Sequence, residues 1–328
     1  MRDNKLLILI FIVLILGVWA SQGYSLLQDT HKAINEEVAQ RTINSFSLDG
    51  YLKNNLGFEG GFEEFLYGYS GKKKQYVTQD VRKWLGEGGD QEDVPGGWLD
   101  FIRNEGRANN HFHNPLKTDW NEAGLNDFVA IPSQLADLLI PPEVCGPPDI
   151  LTNDVWCNYT GQSQILWAQD PGQNVGGEWS WPNAREYFYI ALTGMDFSGG
   201  QEASTEIERE RYFADTFRAV GQLMHLVVDT SVPQHTRNDI HATTWHYEYA
   251  VEKIRTMRTK YPTEWDGWMN NPVSFNKSIF VIPPDYDHPG APVPISRIID
   301  TDKYDGTNPE RTIEKGSSEK FVGIFRFR

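Results

Sequence analysis

The sequence predicts a mostly α-helical protein, built as a multi-helix bundle with one long loop insertion. Three observations carry this expectation. Residues 206–228 form the longest helical pattern, in which Tyr212, Phe213, Phe217, Val220, Leu223, Met224, Val227 and Val228 make a broad apolar stripe. A helix this apolar toward its end belongs at the centre of a bundle, not on its skin. Strand-like alternation is scarce, whereas apolar residues recur at helical spacing in several shorter segments. Gly, Pro and Asn concentrate between about residues 140 and 182, the composition of a long surface insertion.

The elements follow in chain order. Residues 1–20 carry a basic start, an uncharged apolar stretch from Leu6 to Val18 and a small-residue exit at Ala20. That pattern reads as a secretory signal peptide. An uncleaved membrane anchor is the other reading, against which the length argues, because a span needs roughly 17–25 apolar residues. Cleavage after Ala20 makes Ser21 the mature N-terminus; cleavage after Gly23 makes it Tyr24. The main domain is expected over residues 21–260. Its first helix is expected from His31 to Ile43, with Thr30 as N-cap and Ala33, Ile34, Val38 and Ala39 on one side. Further helices are expected at 79–85, 134–139, 183–192, 206–228 and 245–259. Residues 86–97, rich in Gly, Asp and Glu, read as a turn-rich loop. Beyond Tyr261-Pro262 the texture changes to a Pro-rich extension over 261–328.

Charge and cysteine content narrow the function classes. The chain has a formal net charge of −15, and removing Arg2, Asp3 and Lys5 with the leader makes it −16. Such an acidic protein is poorly suited to non-specific duplex binding, which rests on Lys and Arg contacts to phosphate. A phosphate substrate stays open, because bound dications would dominate the local field. Cys145 and Cys157 flank a Pro-, Asn- and Asp-containing loop. In an exported protein they are expected to form one disulfide; neither sits in a C-x-x-C pair that would favour zinc. The aromatic content of 13%, with 11 Trp, indicates real burial. The Trp-containing stretch 167–181 reads as core or loop anchoring before it reads as a stacking platform for substrate.

The chemistry concentrates in the histidines. Seven of the eight fall in four short segments, each near a carboxylate or other polar group. His225 and Asp229 stand four apart on the long helix, hence on one face a turn apart. Pro233 is expected to stop that helix, with His235 projecting from the exit loop over its end. An imidazole and a carboxylate so placed can share a divalent cation. Upstream lie His31, the Glu92-Asp93 pair and Asn110-His111-Phe112-His113-Asn114. His113 can replace His111, and Asp90 can replace Asp93, since the Gly-rich loop does not fix a register. His288, among prolines, reads as a surface residue.

His31, Glu92-Asp93, the Asn-His-Phe-His block and His225…Asp229…Pro233-x-His235, in that order, resemble the secreted zinc-dependent phospholipase C and single-strand nuclease superfamily. The resemblance covers roughly residues 29–255 and is carried mainly by the His225–His235 motif and the Asn-His-Phe block. It implies a helical bundle with a trinuclear zinc cluster at one end. It implies that Asp93, His111, His225 and Asp229 hold one zinc. Asp229 would bridge to a second, shared with His31 and the mature N-terminal amine and carbonyl. His235 would open a third site, for which His241 with Glu248 is the first choice and His246 the substitute. Two departures stand out: no Trp occupies the expected mature N-terminus, and no downstream His and acid stand four apart. Three zinc ions are expected, or two where the downstream site is degraded.

The implied activity is that of a secreted or periplasmic phosphoric ester hydrolase. Zinc would polarise phosphoryl oxygens and lower the pKa of a bound water to give a hydroxide nucleophile. Asp93 would orient that water or accept its proton. Phospholipid is the first substrate class and single-stranded nucleic acid the second; a membrane surface enters only as substrate. A secreted zinc-binding protein without turnover is the alternative from another class. Arg237 can meet a phosphate oxygen or anchor its own loop.

Overall fold

A computed structural model describes residues 25–93, 103, 105–133, 136–137, 140–141, 143–151, 153–173, 175–238, 240, 247–248, 251 and 263. The expected signal segment, nearly all of the 245–259 helix, nearly all of the Pro-rich extension and most of the 134–139 helix lie outside the described residues. The chain divides into two compact units: residues 31–238, and residues 1–30 with 239–328. Among the described residues are seven α-helices and three two-stranded antiparallel sheets, so the protein is mostly helical. None of the described helices is long and apolar enough to cross a membrane.

The helices are α1 (Ser25–Ala39), α2 (Leu48–Leu56), α3 (Val81–Gln91), α4 (Gln164–Trp167), α5 (Trp181–Thr193), α6 (Glu206–Asp229) and α7 (Pro233–Arg237). The strands are β1 (Thr42–Ile43), β2 (Phe46–Ser47), β3 (Phe65–Ser70), β4 (Gln75–Asp80), β5 (Asn126–Pro132) and β6 (Asp154–Thr160). Consecutive strands pair, with Phe65 opposite Asp80 in one hairpin and Asn126 opposite Thr160 in another.

Helix α6 is the central element, as its apolar stripe predicts. It starts at a reciprocal cap: the Glu208 backbone N–H donates to Thr205 Oγ1, while Glu208 accepts from the Ser204 and Thr205 backbone N–H groups. Those donors pull the Glu208 pKa down to about 2. Helices α3 and α5 and strand β3 pack along α6. Leu52, Leu66, Val81, Trp84, Leu85, Ala214 and Phe217 form a core cluster there. Trp84 is fully buried and donates its indole N–H to the Leu66 carbonyl, which locks α3 to β3.

Three expectations need correction. Thr30 is not an N-cap: α1 begins at Ser25 and ends at Ala39, so Thr30 lies inside it. The helix expected at 79–85 starts two residues later, with Asp80 as its N-cap accepting from Lys83 N–H at 2.8 Å, and it runs on through Gln91. Residues 86–91 of the expected loop are therefore helical. The reason is tertiary. A Cβ on Gly88 would lie 2.1 Å from the Arg218 carbonyl oxygen, and one on Gly221 would lie 2.2 Å from the Leu85 carbonyl oxygen. Helices α3 and α6 cross with backbones in contact, which only glycine permits. Asn35 of α1 completes this junction, donating to the carbonyls of Leu85 and Gly221 at 3.0 and 2.8 Å. Finally, His235 does not leave on a loop: Pro233 occupies the first turn of α7, where a missing N–H costs nothing.

The segment read as an insertion carries β6 and α4, and Cys145 and Cys157 form the expected disulfide against β6. The bond closes a short loop, worth about 3 kcal/mol by loop entropy. Changing both cysteines to serine should lower the thermal midpoint while leaving bound metal unchanged by elemental analysis. Loss of metal would make them ligands.

Candidate metal centre

Five segments converge on one buried point. Helix α6 brings His225 and Asp229, α1 brings His31, and α7 brings His235. The stretch after α3 brings Asp93, and the turn after Arg107–Asn110 brings His111. His31, His111, His225, Asp229 and His235 are all buried, while the Asp93 side chain keeps 12% of its surface exposed.

Asp229 is the hub. Its Oδ1 lies 3.3 Å from His31 Nε2. Its Oδ2 lies 3.2 Å from His111 Nδ1, 3.3 Å from His225 Nε2 and 3.4 Å from His235 Nδ1. These are close approaches of charge, not directed hydrogen bonds, and both oxygens lack a hydrogen-bond partner at 0% exposure. A buried carboxylate without donors is costly unless something else satisfies it. Asp93 closes the far side, with Oδ1 3.2 Å from His111 Nδ1 and Oδ2 3.7 Å from His225 Nε2. The His31 and His225 rings stack at 3.6 Å between centroids.

One nitrogen on each of two histidines bonds a backbone carbonyl. His225 Nδ1 donates to the Gly89 carbonyl at 2.7 Å, and His235 Nδ1 donates to the His111 carbonyl at 2.9 Å. The first bond fixes the tautomer with Nε2 turned toward the two aspartates. Gly89 accepts it because α3 lies so close to α6; a Cβ at Gly89 would strike Asn35 Nδ2 at 2.5 Å.

Burial alone would neutralise Asp229, Asp93, His225 and His111, and their mutual charges reverse that. Burial pushes Asp229 up, yet the His235 and His225 charges hold it well below the usual carboxylate range. Asp93 is likewise lowered against its burial, by His225 and His111. Burial lowers His225, but Asp229 and Asp93 raise it to about 9; Asp229, Asp93 and Glu92 raise His111 well above its ordinary value. Without a metal His111 and His225 are thus drawn toward the imidazolium form beside Asp229 and Asp93. A divalent cation entering the cluster displaces protons, so binding strengthens as pH rises toward about 9.

Among the described residues of 31–238, two groups can hold a cation: His31, His225 and Asp229, and Asp93, His111 and His225. The donor set of imidazole and carboxylate, with unsatisfied oxygens on Asp229, fits a divalent metal ion. The structure therefore brings together His31, Asp93, His111, His225, Asp229 and His235. It engages two rival residues, Asp90 and His113, with other partners. Asp90 is engaged by Lys72 at 2.9 Å and by Gln91. His113 turns to Ser163 Oγ at 2.8 Å, and burial lowers its pKa. His241 and His246 lie outside the described residues, as do Ser21 and Tyr24, the two expected mature N-termini. Glu248 is buried and belongs to the other compact unit. Arg237 is buried in α7.

The sequence reading missed the shell around the cluster. Glu92 was only the neighbour of Asp93, and Arg107 carried no signal at all. In the fold they form a fully buried ion pair at 2.7 Å, with the Trp167 indole N–H donating to Glu92 at 3.0 Å. Trp167 is thus an anchor, as expected of that stretch, and Arg218 lies over the Trp179 ring at 4.2 Å. No family model matches this chain, and neither does any curated protein or solved structure.

Proposed function

We propose that this protein is a secreted, zinc-dependent phosphoric ester hydrolase of the phospholipase C type. The observation that carries the reading is Asp229: a fully buried carboxylate with both oxygens lacking hydrogen bonds, ringed by four imidazoles. Such a group is an acceptor waiting for a cation, and its two oxygens face different histidines, as a bridging ligand requires. Zinc held there would supply Lewis-acid polarisation of a phosphoryl oxygen and an acidified water.

The chain's own residues then have distinct tasks. His31, His111, His225 and Asp229 would hold the metal, and all four are buried. Asp93 is the one carboxylate of the cluster with side-chain exposure, 12% against 0% for Asp229 and Glu92. It stays ionised at neutral pH because His225 and His111 offset its burial. It therefore orients the attacking water or takes its proton at a carboxylate oxygen. The disulfide is compatible with an exported protein. Phospholipid is the first substrate class; single-stranded nucleic acid is the second, carried by the same resemblance.

The test combines metal content with turnover on phosphatidylcholine dispersions, single-stranded DNA and a chromogenic phosphodiester. Activity should vanish on chelation, return with zinc, and rise from pH 6 to pH 8 with metal occupancy. Asp93→Asn should lower kcat by orders of magnitude, with the circular dichroism spectrum kept. Purified, unchelated protein with no metal ends the metal reading. Zinc-loaded protein that turns over none of the three substrates makes this a non-catalytic zinc-binding protein instead.

A further inference from the structure

We infer that Glu92 is a positioning residue for the metal centre: its carboxylate fixes the tautomer of His111 by facing Nε2, and Arg107 holds that carboxylate in place. The inference rests on the metal reading of the cluster and adds a residue that the ligand set does not include.

His111 differs from its neighbours in which nitrogen it presents. His225 turns Nε2 to the aspartates and ties Nδ1 to a carbonyl. His111 is reversed: Nδ1 faces Asp93 Oδ1 and Asp229 Oδ2, both at 3.2 Å. Its Nε2 is buried without a hydrogen-bond partner and faces Glu92 Oε1 at 3.7 Å. Ligation through Nδ1 requires the proton on Nε2. A buried N–H there needs an acceptor, and a carboxylate on the outer nitrogen supplies one while making the imidazole a stronger donor to metal. Without that carboxylate the proton can sit on Nδ1, where it blocks coordination.

Glu92 is built to stay where it is. It caps α3, one residue before Asp93, so its backbone is fixed by the same helix that carries Gly89. Arg107 Nη2 donates to both of its oxygens at 2.9 and 2.7 Å. The guanidinium is itself immobilised: it donates to the Val175 and Gly177 carbonyls, to Gln173 Oε1 and to Gln222 Oε1 of α6, and it lies over the Trp167 ring. A buried ion pair is a poor source of stability, since well-packed apolar residues often do as well. Five separate contacts on one arginine are more than a stabilising pair requires. They make sense if the position of the carboxylate is what matters. The same contacts tie Trp167, Gln173, Val175 and Gly177 to Arg107 behind the metal centre.

The experiment uses the full mature protein, with zinc affinity measured by competition against a chelator and the His111 tautomer read from long-range proton–nitrogen NMR spectra of the zinc-loaded form. Glu92→Gln keeps the shape and one acceptor for Arg107 but removes the charge. It should weaken zinc about 10–100-fold, the usual cost of losing such a partner, and shift the His111 ring-nitrogen signals. Because Glu92→Gln leaves Arg107 with half its partner, the double variant Glu92→Gln/Arg107→Met removes the charge pair together. It should regain stability but not zinc affinity. The Cys145→Ser/Cys157→Ser protein serves as a destabilised control with affinity unchanged. Wild-type zinc affinity in Glu92→Gln, or its restoration in the double variant, overturns the inference. Wild-type protein that binds no zinc overturns the underlying metal reading instead, and the two failures are distinct.

Discussion

Asp229→Ala is expected to disturb both candidate cation positions at once and to abolish the proposed phosphodiesterase activity. Asp229 is the residue whose two oxygens reach His31 on one side and His111, His225 and His235 on the other. Loss of any single histidine leaves the other ligands in place, whereas loss of Asp229 removes the bridge between them. The metal-free protein should suffer as well. Burial opposes charge on His225, and Asp229 is the first of the partners that hold it near 9. Removing one partner of a buried charged set costs about 3–5 kcal/mol, read as a fall in the urea midpoint of the metal-free protein. Asp229→Asn separates the two effects, because it keeps the volume and one acceptor oxygen. It should keep the fold and still lose metal by elemental analysis. Full metal content and full turnover in Asp229→Asn would remove Asp229 from the centre of the site.

Gly88→Ala should destabilise the fold by about 3 kcal/mol or more, at the upper end of the range for forcing extra atoms into a packed core. Alanine ordinarily favours a helix over glycine by about 1 kcal/mol, so the sign is reversed here. The new methyl would lie 2.1 Å from the Arg218 carbonyl oxygen and 2.7 Å from Gln222 N, which are backbone atoms that no rotamer change can clear. Helix α3 has to move off α6, and Gly89 then draws away from His225 Nδ1, so zinc affinity should fall with stability. Gly50→Ala is the matched control. Gly50 is also helical, in α2, but its added methyl would meet nothing closer than 3.7 Å. That change should leave stability equal or raise it slightly, and metal binding untouched. Equal urea midpoints for the two variants would mean that the α3–α6 contact is looser than the structure has it.

Both substitutions show where sequence reasoning stops. Local chemistry was enough for the long helix α6, whose apolar stripe and Thr205–Glu208 cap are written into adjacent residues. It was enough for α5, for the Cys145–Cys157 pair, and for bringing His225 and Asp229 to one helix face. The run Gly86-Glu87-Gly88-Gly89-Asp90 was misread as a loop because glycine weakens an isolated helix. In the fold that weakness is offset by a backbone approach that any side chain would prevent, and the junction in turn supplies the carbonyl that orients His225. The three hairpins escaped for a related reason: short strands pair by contacts across the sheet, and their spacing alone is too weak a signal.

The candidate site divides in the same way. Residue types and order along the chain gave His31, Asp93, His111, His225, Asp229 and His235. Their choice over Asp90 and His113 belongs to tertiary structure, which turns Asp90 to Lys72 and His113 to Ser163. The sequence by itself determined a mostly helical chain carrying the side chains of a metal centre. Only the fold decided that Asp229 would be sealed among four imidazoles and that Arg107 would hold Glu92 behind His111. Periodicity reports which face a residue occupies within one element; burial and charge depend on which other elements arrive there.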